Sequence, residues 1–556
     1  MAEHVMGTPA TTGDDAQLTT TRLYEHAARS FGRQEVVHRD QAGQWHTTTY
    51  AATWRRVRSV AAGLQAAGVG PGDRVGLMMW NDLRHYESYF AVPAVGATMI
   101  QLNLRLSPAD LAYVVEHSGL TRIVVDATLL ELAVALAPRV PQVRQWIVAA
   151  DEDMPLDGAH LDVLGEVLRY EDLAATDATD LRLPDMDERS ASAACYTTGT
   201  TGRPKGVFYS HRSVWLHATA VVGMTPLGVR DSILMLTPMF HVQCWGLPFA
   251  AALVGARVVL PGRFTLQDTG AIAEWITQHG VTRAPAAPAI LDPLRHWLLQ
   301  QENPPRWEGL RLTCGASEPS TTLMEDVHRL TGARIVHAYG ATETSPLVTL
   351  NNPVPAAVAG LDEDAVWDLE RRQGLVAPGV DVKIAGPGGE ALPFDGASVG
   401  EVCLRGPWIT ASYHENPEAN ASSFDEDGYW RSGDVGTVDE QGYLKITDRL
   451  KDVIKSGGEW ISSVDMESAL AAMPEVREVA VVGVPHPKWE ERPLVIAVPA
   501  DGAEITLEKV HAALTPAFAS WQLPDQVRVV EEIARTSVGK INKRRLRDDF
   551  GGAYTG

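Results

Sequence analysis

Cysteine is scarce in this chain: four in 556 residues, Cys195, Cys244, Cys314 and Cys403, with no CxxC pair among them. That spacing argues against a disulfide framework or a zinc site and fits a reducing, cytoplasmic setting. Positive charge is also in short supply, with 48 lysines and arginines against 70 aspartates and glutamates and a formal net charge of −22. Nucleic acid and anionic membranes call for a basic surface, so neither is an expected partner. Any polyanion must bind in a local pocket of reversed sign. No apolar run is long enough to span a bilayer: the most apolar stretch, "LPFAAALVGARVVLPG", is broken by Pro248 and Arg257. The opening residues "MAEHVMGTPATTGDD" are polar and acidic, unlike a secretory signal, and a loose tail is expected over residues 1–19.

What the chain has is alternation. The stretches "EVVHRD", "QAGQ" and "WHTTTY" read as strand, turn and strand. In "YAATWRRVRSVAAGLQAAG" the residues Trp54, Val57, Val60, Ala61 and Leu64 make one helical stripe that ends at Gly68. Apolar strand-like runs ("RVGLMM", "TMIQLN", "TRIVVDA") then interleave with helical ones, the mark of a parallel α/β sheet wrapped by helices. From about Val376 short strands separated by Gly, Pro and Asp predict a small β-rich subdomain to residue 450. A final unit, 451–556, mixes strands and helices. The expected fold is α/β: a large N-terminal domain (20–450) of two wound subdomains plus the β subdomain, and a small mobile α+β C-terminal domain.

The densest cluster of glycine and hydroxyl side chains is "YTTGTTGRPKG", Tyr196 to Gly206. After the strand "ASAACYT" and before the helical "HRSVWLHATAVV", such a loop can wrap backbone N–H groups round phosphate oxygens. It is not a Walker A loop, because Lys205 is followed by Gly206 and not by a hydroxyl residue. "YGATETSP" (Tyr339 to Pro346) sets an aromatic, a glycine, a hydroxyl and a carboxylate within five residues. A carboxylate beside phosphate needs a hard cation such as Mg²⁺ between them. "YWRSGDVG" supplies Asp434, able to accept two hydrogen bonds from a ribose diol. "DRLKDVIKSGGEWIS" adds Arg449 and a Gly457–Gly458 turn, and "ARTSVGKINKR" presents Lys540.

Together, in this order, these five motifs resemble the acyl-adenylating (AMP-forming) synthetase superfamily over residues 20 to 548. The resemblance is strongest to bacterial medium- and long-chain fatty acyl-CoA synthetases, through "TPMFHVQCWGLPFAAALVGA", "KSGGEWISSVDMESAL", "VPHPKWEERPL" and "SWQLPD". It implies that the loop Thr197, Thr198, Gly199, Thr200, Thr201, Gly202 to Lys205 closes over the β- and γ-phosphates of ATP. Glu343, with Thr200, would hold Mg²⁺, and Thr342 would touch the α-phosphate. Tyr339 would stack on adenine, with Gly315, Ala316 and Ser317 lining the base pocket and Gly340 beside them. Asp434 and Arg449 would take the ribose, and Lys540 would bridge carboxylate and α-phosphate. His241, Gln243, Trp245, Ala287 and Gly340 would form the acyl pocket. Rotation about a hinge at Lys451 would bring Gly457, Gly458, Glu459 and Trp460 to face the thiol of CoA. The implied reaction is ATP-dependent formation of an acyl-adenylate with release of pyrophosphate, then thioesterification to CoA. Homodimers joined through the N-terminal domain occur in that subgroup and are compatible here.

Departures from the family pattern gather on the acyl pocket. "GASEP" (Gly315 to Pro319) replaces a longer "GGSAAP", "AAPA" (Ala286 to Ala289) replaces "GVPT", and Gln243 and Cys244 stand where Asn and Ala are usual. Arg283 lies just upstream, where an apolar residue is common. An added methyl narrows a tunnel, so a medium-chain, branched or aryl acid is expected. A relative using another acceptor, such as a carrier protein, or activating nitrite for attack by an arylamine, is the alternative. From a different class, a catalytically silent nucleotide- or acyl-binding module is disfavoured by the presence of Lys540 and Glu343.

Overall fold

The computed structural model describes residues 7–13, 15–152, 154–197, 203–265, 268–456, 459–535 and 541–554, with the side chains of Glu459 and Trp460 left aside. Two large sheets carry the N-terminal part. The first has seven strands in the order Val167–Arg169, Gln145–Ala149, Arg122–Asp126, Arg74–Met78, Thr98–Gln101, Ala191–Tyr196, Gly206–Ser210. All pairs are parallel except the last, an antiparallel hairpin. The strand Gly206–Ser210, to which the sequence reading assigns no element, lies between the loop and the expected helix. That helix, His211–Met224, starts only after it, capped by the Ser210 hydroxyl, which accepts from the Ser213 N–H. One valine and two aromatic residues in "GVFYS" suit a pleated, half-buried surface and outweigh the neighbouring helical pattern.

The second sheet has thirteen strands and changes character halfway. From Glu35–Arg39 through Arg257–Leu260, Ser232–Leu234, Arg283–Ala286 and Arg311–Cys314 to Arg334–Gly340 it is parallel. The hairpin partner Trp45–Thr49 closes its outer edge. Beyond Arg334–Gly340 every pair is antiparallel, through Leu347–Leu350, Gly374–Val376, Tyr443–Arg449, Trp430–Val438, Gly400–Arg405 and Asp381–Ala385. The antiparallel ladder therefore begins at Leu347, upstream of the change in texture at Val376, and is hydrogen-bonded without a break to the wound half. Strand Arg334–Gly340 is the junction, with a register shift between Tyr339 and Gly340.

Helices Thr20–Ser30, Tyr50–Ala66, Leu83–Ala94 and Leu247–Val254 fill the space between the sheets with an aromatic core. Tyr24, Tyr50, Tyr86, Tyr89, Phe90 and Phe249 are all buried there, with the Tyr24 and Phe90 rings 4.2 Å apart. The Val57, Val60, Ala61 and Leu64 stripe faces this core as its spacing predicts. The C-terminal part has its own sheet, Glu459–Ile461, Ile454–Ser456, Glu490–Pro499 and Val476–His486, with Gln526–Val529 beside it. Ile454, Val481, Val495 and Leu514 are among its separate core. No helix among the described residues is long and apolar enough to cross a membrane.

Candidate active site

The Gly- and Thr-rich loop joins the two strands of the antiparallel hairpin. Thr198, Gly199, Thr200, Thr201 and Gly202 lie outside the described residues. The base of the loop is fixed: the Thr197 N–H donates to the Lys205 carbonyl at 3.0 Å, and the Lys205 N–H donates to Thr197 Oγ1 at 3.0 Å. A side chain at Gly206 would meet the Tyr196 ring at 2.8 Å, so a larger residue there would have to push that ring aside. The Lys205 ammonium sits 4.0 Å from the centroid of the Tyr413 ring. Burial lowers its pKa below the ordinary lysine value, and the nearby Glu343 charge partly restores it.

The "YGATETSP" turn follows the junction strand. At Gly340 a Cβ would lie 1.9 Å from the Pro346 carbonyl oxygen, so no other residue fits between the two arms of the turn. Thr342 and Glu343 occupy a single 3₁₀ turn, Thr342–Thr344, and both are buried. The Tyr209 hydroxyl, from the strand after the loop, donates to the Thr342 carbonyl at 2.7 Å. The Glu343 carbonyl accepts from the Thr410 N–H at 2.7 Å, and its Oε1 accepts from the Tyr413 hydroxyl at 2.7 Å. No lysine, arginine or histidine among the described residues forms an ion pair with Glu343. A carboxylate held by a neutral donor and without an ion-pair partner among the described residues is a hard anionic oxygen donor, chemistry that fits Mg²⁺.

Beside this turn, Tyr339 reaches the residue read as the ribose acceptor. Its hydroxyl donates to Asp434 Oδ2 at 2.6 Å, while Arg449 Nε lies 3.1 Å from Asp434 Oδ1. Asp434 and Arg449 are directly opposed on antiparallel strands, which places their charges together without a long side-chain search. The Asp434 carboxylate raises the Arg449 pKa, and burial together with that same charge raises the Tyr339 phenol. Each carboxylate oxygen still has lone-pair capacity for a ligand hydroxyl.

The residues expected on the acyl side form a turn of unusual hand. Val242, Gln243, Cys244, Trp245 and Gly246 all have positive φ, between 46° and 75°. A β-branched residue such as Val242 rarely adopts that conformation. Gly246 is required, since a Cβ there would be 2.6 Å from the ring of His217. His217 in turn accepts the Leu347 N–H on Nε2 at 3.1 Å, and burial lowers its pKa to about 3, so the ring stays neutral. His241 precedes the turn, its N–H donating to the Pro238 carbonyl at 3.0 Å. Gln243 and Cys244 are buried; Trp245 is half-buried and lies against Gly315. Ala316 follows with φ 74°, a left-handed position that suits glycine, and Ala316 and Ser317 are exposed. Ala287 caps helix Pro288–Leu299.

Arg283 does not belong to this wall. It opens the parallel strand Arg283–Ala286, at the end opposite Ala287, and pairs with Asp231 at 3.4 Å. Sites in such sheets form at the carboxyl ends of strands, which removes Arg283 from the pocket. Glu318 of "GASEP" also turns away: it pairs with Arg371 at 2.9 Å and accepts from the Gln373 amide at 3.1 Å. Arg371 continues to Ser468 and Asp465 in the C-terminal unit, at 3.3 and 3.9 Å. At Lys451 the chain leaves strand Tyr443–Arg449, and neighbouring Asp452 is held by Arg547 at 2.7 Å. Gly457, Gly458 and Lys540 lie outside the described residues. For Glu459 and Trp460 only the backbone is described, in the strand Glu459–Ile461. Sequence reasoning missed Tyr413, Trp430, Tyr209 and His217. Trp430 stands in the quoted "YWRSGDVG" without any signal of its contact, and only the fold brings the four to the site.

The model for AMP-binding enzyme matches residues 24–414, and that for AMP-binding enzyme C-terminal domain matches 465–540. The chain is 43% identical over 546 residues to the long-chain-fatty-acid–CoA ligase of Thermus thermophilus, covering 98% of this chain and 97% of that protein. It is 38% identical over 539 residues to the medium-chain-fatty-acid–CoA ligase of Ectopseudomonas oleovorans, covering 96% of each. In fold it is similar to an anthranilate CoA ligase solved in complex with anthranoyl-AMP, with a TM-score of 0.82 at 21% identity over 98% of this chain and 100% of that one.

Proposed function

The chain belongs to the AMP-binding enzyme family, and from that premise we propose that it activates a carboxylic acid as an acyl-adenylate and passes the acyl group to CoA. The observation that carries this reading is the meeting of Lys205, Glu343 and the Tyr339–Asp434–Arg449 group beside one turn. A cation, a metal-ready carboxylate and a diol acceptor are what a nucleoside triphosphate with Mg²⁺ requires.

In the first half-reaction a carboxylate oxygen attacks the α-phosphorus of ATP and the bond to the β-phosphate oxygen breaks, releasing pyrophosphate. Lys205, with Thr197 to Gly202, holds the departing phosphates. Thr342 contacts the α-phosphate, and Lys540 offsets the negative charge where two anions meet. Mg²⁺ held by Glu343 and Thr200 would neutralise phosphate charge. Gly315, Ala316, Ser317, Tyr339 and Gly340 frame the base. Asp434 accepts from the ribose hydroxyls, with Arg449 Nε beside that carboxylate. In the second half-reaction the CoA sulfur attacks the acyl carbon and AMP leaves. The C-terminal domain turns about Lys451 between the two, bringing Gly457, Gly458, Glu459 and Trp460 towards the thiol.

The acid is bounded by His241, Gln243, Trp245, Ala287 and Gly340. The Ala316 methyl and the Trp245 indole on Gly315 narrow this space, which favours a medium-chain, branched or aryl acid over a long straight chain. Four buried free thiols fit a reducing cytoplasm. Dimerisation through the N-terminal domain is part of the proposal. The test is product analysis across C8, C16 and benzoate-type acids, with ATP, Mg²⁺ and CoA. The expected products are AMP, pyrophosphate and acyl-CoA, with C8 or aryl acids preferred. A clear preference for C16 would refute the narrowed pocket. AMP formed with nitrite and an aminoarene, but none with any acid and CoA, would replace the reading altogether.

A further inference from the structure

We propose that Tyr413 is a positioning residue of the phosphate site: it orients Glu343 for a divalent cation and keeps Lys205 apart from that carboxylate. The proposal rests on the functional reading above.

The segment from Thr410 to His414 is stitched to both motifs at once. Its Thr410 N–H donates to the Glu343 carbonyl at 2.7 Å, and its His414 N–H donates to the Gly206 carbonyl at 2.9 Å. Tyr413 lies between these ties and is 2% exposed. Its own backbone is clamped by one side chain: its N–H donates to Asn420 Oδ1 at 2.7 Å, and Asn420 Nδ2 donates to its carbonyl at 3.0 Å. The ring is therefore fixed between the loop that carries Lys205 and the turn that carries Glu343.

The hydroxyl has a defined proton direction. Trp430 Nε1 lies 3.1 Å from the Tyr413 oxygen, and an indole N–H can only donate. The phenol oxygen accepts there, so its proton is directed to Glu343 Oε1 at 2.7 Å. A neutral donor fixes the orientation of the carboxylate without cancelling its charge. Lys205 in the same place would cancel it. Instead the ammonium rests on the face of the ring, 4.0 Å from its centroid. A cation–π contact of about 0.5–2 kcal/mol is weak enough to yield to a phosphate anion. Among the described residues Lys205 has no ion pair that would have to break first.

The test uses the full-length chain and two readouts: Mn²⁺ affinity measured by electron spin resonance in the presence of a non-hydrolysable ATP analogue, and the Mg²⁺ dependence of pyrophosphate release. Tyr413→Phe keeps the ring and removes the donor. It is expected to weaken Mn²⁺ binding and raise the half-saturating Mg²⁺ by about tenfold, the loss of one hydrogen bond to a charged group, while the KM for acid stays within about twofold. Trp430→Phe, which does not touch Glu343, is expected to shift both in the same direction by about threefold. Lys205→Met is expected to abolish turnover yet leave Mn²⁺ affinity in place. Unchanged Mn²⁺ and Mg²⁺ dependence in Tyr413→Phe and Trp430→Phe would overturn the proposal, as would an equal loss of acid, nucleotide and metal affinity in both. If the unsubstituted chain binds no Mn²⁺–nucleotide complex, the functional reading itself fails, a result distinct from either outcome in the variants.

Discussion

The indole of Trp245 lies against the backbone of Gly315: a methyl built on that glycine would sit 2.9 Å from Trp245 Cη2 and 3.2 Å from the Ala338 carbonyl oxygen. The proposed acyl wall at Trp245 and the proposed base-pocket edge at Gly315 thus share one contact. Gly315→Ala has to displace either the indole or the junction strand. The cost of such overpacking is about 1–3 kcal/mol. The expected result is a rise in KM for both acid and ATP, measured by pyrophosphate release. Adding Trp245→Leu should recover the ATP term first, because it empties the space the methyl needs.

Ala316 stands at φ 74° and is exposed. Ala316→Gly relieves a left-handed alanine and widens the wall at the same time. The ratio of kcat/KM for C16 over C8 is expected to rise by about tenfold, the scale of one methylene in an apolar pocket. An unchanged ratio would show that chain length is read elsewhere.

Asp434 is held from both sides, by the Tyr339 hydroxyl at 2.6 Å and by Arg449 at 3.1 Å. Asp434→Asn keeps an acceptor for Tyr339 but loses the charge that Arg449 meets and that the proposed ribose site relies on. The KM for ATP is expected to rise tenfold or more, on the order of one charged hydrogen bond, with much less effect on the KM for acid. Titration of initial rates against ATP and against acid checks the split.

Glu318 gives a pH signature. Burial pushes its carboxyl up from 4.5 to about 7, against the pull of Arg371. Below pH 4.5 the folded and unfolded chains both hold the proton. Between 4.5 and 7 only the folded chain does, so this group's contribution to stability is lost as pH rises through that window. Wild type should therefore lose at most about 3 kcal/mol relative to Glu318→Gln between pH 4.5 and 7, with a constant difference above it. Urea unfolding of both proteins at pH 5 and pH 8 measures this. A pH-independent difference would mean that Arg371 keeps Glu318 ionised throughout.

The wound halves were legible because burial on both faces forces apolar strands to alternate with helices, as "RVGLMM", "TMIQLN" and "TRIVVDA" do. The strand Gly206–Ser210 was hidden because its five residues abut a helical pattern and carry no turn signal of their own. In the site, Glu343, Asp434 and Arg449 could be read because they cluster in short motifs. Tyr413 could not: it is 70 residues from Glu343 in the chain, and its role depends on backbone ties at Thr410 and His414. Arg283 was misread because its position next to "AAPA" hides the length of a strand that carries it to the far end of the sheet. Proximity in sequence predicts a shared site within a turn, not along a strand.

The central claim is that an acid is activated by adenylation before any thiol is involved. Acid-dependent exchange of labelled pyrophosphate into ATP, measured without CoA, tests it most directly. Exchange is expected to require Mg²⁺ and a medium-chain, branched or aryl acid, and to be lost in Lys540→Ala while ATP binding persists. Exchange that is absent with every acid, or that proceeds equally without one, would contradict it.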